Sequence, residues 1–158
     1  MLNFNTLNTG FRELMDTDYG GFKGFSSTIP KVAHDWASVF ERFYLEMILP
    51  VPGIANPNLY PSLKIFESGL LGAIQSQTVT VQLETLITTL HLGVCNGVTM
   101  LGVYATTPPP SPLILRDCFS TSFKAIQVAQ MMANKIMIYV SPTFSTMVAP
   151  PFTVIKWM

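Results

Sequence analysis

Apolar residues recur at helical spacing along several segments of the chain. Over residues 29–49 they fall three or four positions apart on one face, while Lys31 and Asp35 form a pair four residues apart on the other. Pro30 suits the first turn of a helix, and Pro50 cannot continue one. The pattern therefore predicts a helix over 29–49.

Two further helices are predicted, one from Pro61 onward and one over 78–100. The first has apolar residues at Leu63, Phe66 and Leu70, again at helical spacing. Residues 78–84 also alternate between apolar and polar side chains as a strand would, so a strand remains the alternative for that segment. The helical pattern covers more of the chain, and a helix is the preferred interpretation.

A fourth long helix is predicted to begin at Ser111 and Pro112 and to end before Pro142. The proline-rich stretches 50–61 and 106–112 predict stiff connectors. Short connectors favour antiparallel neighbours. The predicted fold class is thus mainly α, a small bundle of about four helices with proline-rich connectors.

Extended arms are predicted on both sides of the helical domain, which covers residues 29–140. Residues 1–28 have aromatic side chains among four glycines and neither a helical nor a strand period, and residues 141–158 are apolar with one charge. Such arms are expected to bury their apolar side chains on neighbouring subunits, although the first arm fits its own domain equally well. The candidate interface residues are Phe4, Phe11, Phe22, Phe25, Phe144, Phe152, Ile155 and Trp157.

Charged residues are scarce, and their scarcity narrows the function. The chain is 49% apolar and 11% charged with a formal net charge of zero, whereas about 25% charged residues is usual. This composition disfavours a disordered chain and a nucleic-acid binder that relies on phosphate contacts. It suits a subunit covered by its neighbours. The predicted partners are other protein subunits, including copies of this chain, and no nucleic acid.

The alternative function is a small membrane protein with a single span near residues 86–105. This uncharged stretch is long enough to cross a bilayer, and Gly93 and Gly97 match a small-xxx-small packing motif. His91, Asn96 and the absence of flanking Lys or Arg argue against a span. A membrane is therefore not the expected partner.

No group of residues predicts catalysis. His34 and Asp35 are adjacent on a helix and point about 100° apart, so with Ser38 they do not form a triad. His91 and Cys95 share a helical face, but their surroundings are apolar and include no acid, which favours a core histidine beside an inert thiol. We predict that the chain is not an enzyme and has no catalytic residues.

No metal or cofactor is predicted either. Glu13, Asp16 and Asp18 are interpreted as a solvated turn. Cys95 and Cys118 are the two cysteines, too few with two histidines at these spacings for a structural zinc site. No phosphate-binding glycine motif occurs.

Three segments carry a resemblance to a known group of proteins. WASVFERFY at 36–44, SGLLGAIQS at 68–76 and TTPPPSPL at 106–113, with the Pro/Gly connector between the first two, resemble small helical structural proteins of tailed bacteriophage virions. The similarity is one of pattern and covers about half of the chain. It implies a tail, baseplate or neck component, located in the virion and assembled in the host cytoplasm.

Overall fold

A computed structural model describes residues 2–47, 55–149 and 153–157. Within these ranges the chain forms five α-helices, three short β-strands and one 3-10 turn. In chain order they are α1 (Phe4–Met15), α2 (Ile29–Leu45), α3 (Leu59–Gln75), α4 (Val79–Met100), β1 (Tyr104–Thr107), the 3-10 turn Arg116–Cys118, α5 (Ala125–Val140), β2 (Phe144–Met147) and β3 (Val154–Lys156). The predicted class, a mainly helical small bundle, is confirmed.

Helices α2 and α3 form where the periodicity predicted them, although their ends differ from the prediction. Pro30 lies in the first turn of α2, and Lys31 and Asp35 make the expected ion pair at 3.0 Å. The helix ends at Leu45, four residues earlier than predicted. Pro61 lies in the first turn of α3, where its missing N–H costs no hydrogen bond. Residues 50–54 of the predicted connector lie outside the described residues.

Helix α4 includes the segment that also had a strand pattern. The amides of Val81 and Gln82 both donate to Thr78 O, at 3.1 and 3.0 Å, which starts the helix at this point. Leu83 and Ile87 are buried on its inner face together with Leu90 and Val94 further along. Burial of this long apolar stripe outweighs the local alternation, and the preferred helical interpretation is confirmed.

Gly93 and Gly97 of α4 pack against the beginning of α3. A Cβ at Gly93 would overlap Ser62, and one at Gly97 would overlap Asn56, so glycine permits this close approach. The Asn56 Nδ2 group donates to Val94 O across the contact at 2.9 Å. The small-xxx-small spacing therefore serves packing within the chain. In the described ranges no helix has both the length and the apolar character needed to span a bilayer.

The N-terminal residues differ most from the prediction, because residues 4–15 form α1. Asn3 caps this helix by accepting a hydrogen bond from the Asn5 amide at 2.9 Å. Leu7 and Phe11 are fully buried in the core. The prediction of an irregular segment over 1–28 is wrong for α1, which contains only one glycine, Gly10. Its cost of about 1 kcal/mol is outweighed by burial of the apolar face.

Helix α5 begins at Ala125, and the prediction that it begins at Ser111 is wrong. Local hydrogen bonds compete with a helix here, because the Ser120 hydroxyl bonds the Ser122 hydroxyl at 2.8 Å and accepts from the Ser122 amide at 3.4 Å. Earlier in the segment, the backbone amides of Leu115 and Arg116 donate hydrogen bonds to the side chain of Glu84 in α4. The helix therefore begins only at Ala125.

Glu84 is the α4 residue that holds this segment. Its Oε1 atom accepts hydrogen bonds from the amides of Leu115, at 2.6 Å, and Arg116, at 3.0 Å. Replacing Glu84 by alanine is expected to lower the free energy of unfolding by about 1–3 kcal/mol, because the Leu115 amide loses its acceptor. Glu84→Gln keeps an acceptor oxygen and should cost about half as much. Urea denaturation would measure both variants; equal stability of both with the wild type would contradict this role.

The three strands form an antiparallel sheet in the order β1–β2–β3. Tyr104 lies opposite Met147, and Ser145 lies opposite Ile155. The C-terminal segment thus folds back on its own chain. Leu2 joins it there, since its amide donates to Trp157 O at 3.0 Å. Both predicted arms consequently contribute to the same hydrophobic core as the helices.

Candidate functional site

In the described part of the chain, a cluster of buried polar side chains surrounds His91 of α4. The imidazole has no solvent-exposed surface. It stacks against the ring of Tyr44 from α2, with ring centres 5.9 Å apart. The rings of Tyr139 from α5 and Trp157, which follows β3, approach edge-on at 5.5 and 5.6 Å. One histidine therefore contacts aromatic side chains from three separate parts of the fold.

Both ring nitrogens of His91 have hydrogen-bond partners. Nδ1 lies 2.9 Å from Tyr44 Oη, and Nε2 lies 2.9 Å from Thr143 Oγ1. A neutral imidazole has one donor and one acceptor nitrogen, and a hydroxyl can serve as either partner. The Cys95 Sγ atom lies further off, at 3.7 Å from Nε2. The histidine is thus fully satisfied without a charge.

A second set of hydrogen bonds continues from this cluster into the sheet. The Trp157 Nε1–H group donates to Ser145 Oγ at 2.9 Å, and that oxygen lies 3.0 Å from Thr106 Oγ1. Ser145 is on the middle strand and is fully buried. The polar groups on the inner face of the sheet are therefore paired with one another, which removes the cost of burying them.

Burial keeps the whole cluster uncharged at neutral pH. It lowers the pKa of His91 to about 3 and raises the pKa of Cys95 to about 12. It also raises the pKa of Tyr44 well above its ordinary value. A nucleophilic cysteine needs an accessible thiolate beside a base, whereas Cys95 is a buried thiol beside a neutral imidazole. His91 is thus a core histidine beside an uncharged thiol, as predicted, and its contacts join the helices to the sheet.

The residues near His34 have separate partners rather than a shared site. His34 Nδ1 lies 3.3 Å from a carboxylate oxygen of Glu67, and Asp35 binds Lys31. The Ser38 hydroxyl donates to the His34 backbone carbonyl at 3.0 Å. These contacts are typical of solvated helix surfaces, and they leave no nucleophile beside the imidazole.

Glu13 of α1 forms an ion pair with Arg42 of α2, at 2.8 Å, and a second with Lys23 of the segment between the two helices, at 3.1 Å. Partial burial alone would raise the pKa of Glu13, but the hydrogen bonds and charges of these two cations lower it. Asp16 pairs with Arg12 at 2.9 Å. Among the described residues, no group of three His, Cys, Asp or Glu side chains is placed to hold a metal ion.

The predicted interface residues that the structure describes fall into three groups. Phe11 and Trp157 are buried in the core of their own chain. Phe25 is 73% exposed, and Phe152 lies outside the described residues. The other four, Phe4, Phe22, Phe144 and Ile155, are partly buried. Their role as interface residues stays a prediction.

The sheet has an apolar surface that the sequence did not reveal. We call it the outer sheet face, the side away from Ser145 and Trp157. Val148 is 57% exposed there and Val154 is 55% exposed. The register places on this face Val103, Ala105, Thr107, Phe144, Thr146, Val148, Val154 and Lys156. Because strands of three or four residues give a weak alternation signal, only the register identifies the face.

No protein-family model matches this chain, and no curated protein or solved structure shows significant similarity to it.

Proposed function

We propose that this chain is a non-enzymatic structural subunit of a protein assembly, held to its neighbours by mutual burial of apolar surface. The outer sheet face carries this proposal, since Lys156 is its one charged residue. Apolar surface that stays exposed on one chain is available for burial against a neighbouring subunit. The low overall charge of the chain, 11%, supports the same function.

A second apolar surface lies between the proline-rich segment and α5. It is a groove of about 240 Å³, lined by residues that include Pro112, Leu113, Ile114 and Ile138. Ile138 is 72% exposed, far more than a core residue of its size. Two apolar surfaces on one small chain suit a subunit with more than one neighbour.

We infer from the resemblance to phage structural proteins that the assembly is a tailed bacteriophage virion, with a tail, baseplate or neck position for this chain. The proposed mode of assembly differs in one respect from the one that the sequence predicts, in which both arms bury their apolar side chains on neighbouring subunits. Phe11 and Trp157 contribute to the chain's own core, so the contacts with neighbours rest on the outer sheet face and on exposed side chains such as Phe25.

Association of the purified chain tests this proposal. Wild-type protein is expected to form oligomers in size-exclusion chromatography with light scattering. Val148→Glu should shift the distribution toward smaller species, because a charge on the outer sheet face must be desolvated when that face is covered. Val81→Glu is the matched control, since Val81 is a 75% exposed valine on α4 away from the sheet.

Two outcomes would contradict the proposal. One is a wild-type chain that stays monomeric at millimolar concentration. The other is equal weakening of association by Val148→Glu and Val81→Glu, which would indicate a general charge effect instead of a specific surface.

A further inference from the structure

Strand β3 forms one edge of the sheet, and in the described part of the chain no strand lies along its outer side. Along the edge of β3 that faces β2, the Met147 amide donates to Thr153 O at 3.0 Å and the Trp157 amide donates to Thr143 O at 3.4 Å. In an antiparallel pair, residues that bond to the partner strand alternate with residues that do not. Ile155, midway between Thr153 and Trp157, therefore also bonds toward β2.

The same alternation turns the backbone of Val154 and Lys156 in the other direction. Their N–H and C=O groups point away from β2, toward the open edge. The side chains of both residues are exposed, with Val154 at 55%. Four backbone groups are thus aligned for pairing with another strand, as in β-strand addition.

The opposite edge of the sheet is less accessible. The backbone of Thr106 on β1 faces outward by the same alternation, but its amide bonds the Thr99 hydroxyl of α4 at 3.3 Å. Helix α4 packs along β1 as well. A contact between β3 of one copy and β1 of the next, which would build an open filament, is therefore disfavoured relative to a closed pair.

We propose that β3 pairs antiparallel with β3 of a second copy of this chain, forming a two-fold dimer with a continuous six-stranded sheet. This inference rests on the proposed function and names the first partner in the assembly. The two-fold axis passes beside Ile155, so Val154 of each copy lies opposite Lys156 of the other. In this register all four outward residues pair, giving four hydrogen bonds.

Charge disfavours one of the two neighbouring registers. A shift that places Lys156 opposite Lys156 of the second copy would put like charges directly across the strands, which destabilises a sheet. In the proposed register each lysine lies beside a valine instead. The two Ile155 side chains, on the inner face, then meet as a cross-strand apolar pair.

The outer sheet face of one copy is small for a stable interface. Three strands spaced about 4.8 Å apart, each about four residues long, cover about 190 Å². A standard interface buries about 800 Å² on each partner. Pairing of two β3 edges places two outer sheet faces side by side and doubles the continuous apolar surface for the next subunit.

Substitutions at Val154 test the register in the full chain. Val154→Pro removes an outward N–H that bonds nothing within β2, so the monomer should fold while the dimer loses two hydrogen bonds. We expect the dimer dissociation constant to rise about 30-fold. Ile155→Pro is the contrasting variant, because it removes an inward N–H and should destabilise the monomer itself. Circular dichroism checks the fold and sedimentation velocity measures dissociation.

Charge changes at the same position provide a second test that leaves the backbone intact. Val154→Lys places a lysine opposite Lys156 of the second copy and should weaken the dimer about fivefold, whereas Val154→Glu should strengthen it about fivefold. Equal dissociation constants for the Lys and Glu variants would overturn the register. Dimers unaffected by Val154→Pro would overturn edge pairing, while oligomers that still respond to Val148→Glu would leave the proposed function standing.

Discussion

Replacing Phe11 by alanine is expected to destabilise the protein by about 3–5 kcal/mol, the range for loss of a fully buried aromatic side chain. Phe11 has no exposed surface. Its ring lies 5.5 Å from that of Trp36 and 6.0 Å from that of Phe40, so α1 is fixed to α2 by an aromatic cluster. Urea denaturation followed by circular dichroism would measure the loss.

Phe25→Ala is the matched control for this prediction. Both residues were predicted to be interface residues of the same arm, yet Phe25 is 73% exposed and its ring contact is with Phe22 at 5.1 Å. We expect Phe25→Ala to cost less than about 1 kcal/mol. If Phe11→Ala were equally mild, α1 would not be part of the core and the arm interpretation would regain support.

Replacing His91 by alanine is expected to cost about 3–5 kcal/mol at pH 7. The change opens a cavity among three aromatic rings and leaves the hydroxyls of Tyr44 and Thr143 without their buried partner. His34→Ala is the control, because the His34 side chain is 61% exposed and its partner is a surface carboxylate. That variant should change stability by less than about 1 kcal/mol.

The cost of His91→Ala should also shrink as the pH falls. Burial lowers the pKa of His91 to about 3 in the folded protein, against about 6.5 in an unfolded chain. Between these values the unfolded state binds the extra proton, so the histidine's contribution to stability is full above pH 6.5 and is lost toward pH 3. From pH 6.5 to 4.5 the difference from wild type should narrow by roughly 2–3 kcal/mol. A constant difference would contradict a buried neutral imidazole.

Comparing the free energies of unfolding of the wild type and His91→Ala at each pH separates the effect of His91 from that of other groups that titrate in acid. Hydrogen bonds and charges lower the pKa of Glu13 and Asp35 despite their partial burial. Each stabilises the fold above its unfolded pKa, and that stabilisation is lost as the pH falls through the folded value. Because both side chains are present in each protein, their contributions cancel in the difference.

The parts of the fold that the sequence predicted are those with long local periodicity. Helix α4 was identified because its apolar stripe runs from Val79 to Val94, and His91 was placed in the core from its apolar neighbours. Helix α1 was missed because its glycine was considered together with the three that follow at positions 20–24. In the structure those three lie beyond the helix.

The sheet, its outer face and its open β3 edge depend on contacts between residues that are distant in the sequence, and no local pattern contains such contacts. Strand β1 pairs with β2 about forty residues away, and each strand is too short for alternation to give a clear signal. The hydrogen-bond partners of His91 are 47 and 52 residues distant in the chain. Which side chains form the outer sheet face follows only from the register.

The packing of α1 against α5 affects how the protein folds during synthesis. Helices α2, α3 and α4 meet their neighbours in chain order, but α1 leaves the ribosome long before α5, which begins at Ala125. At about 5–20 residues per second this delay lasts roughly 5–20 s. During that time α1 lacks its contacts with α5, and the side chains that those contacts cover stay exposed on the nascent chain.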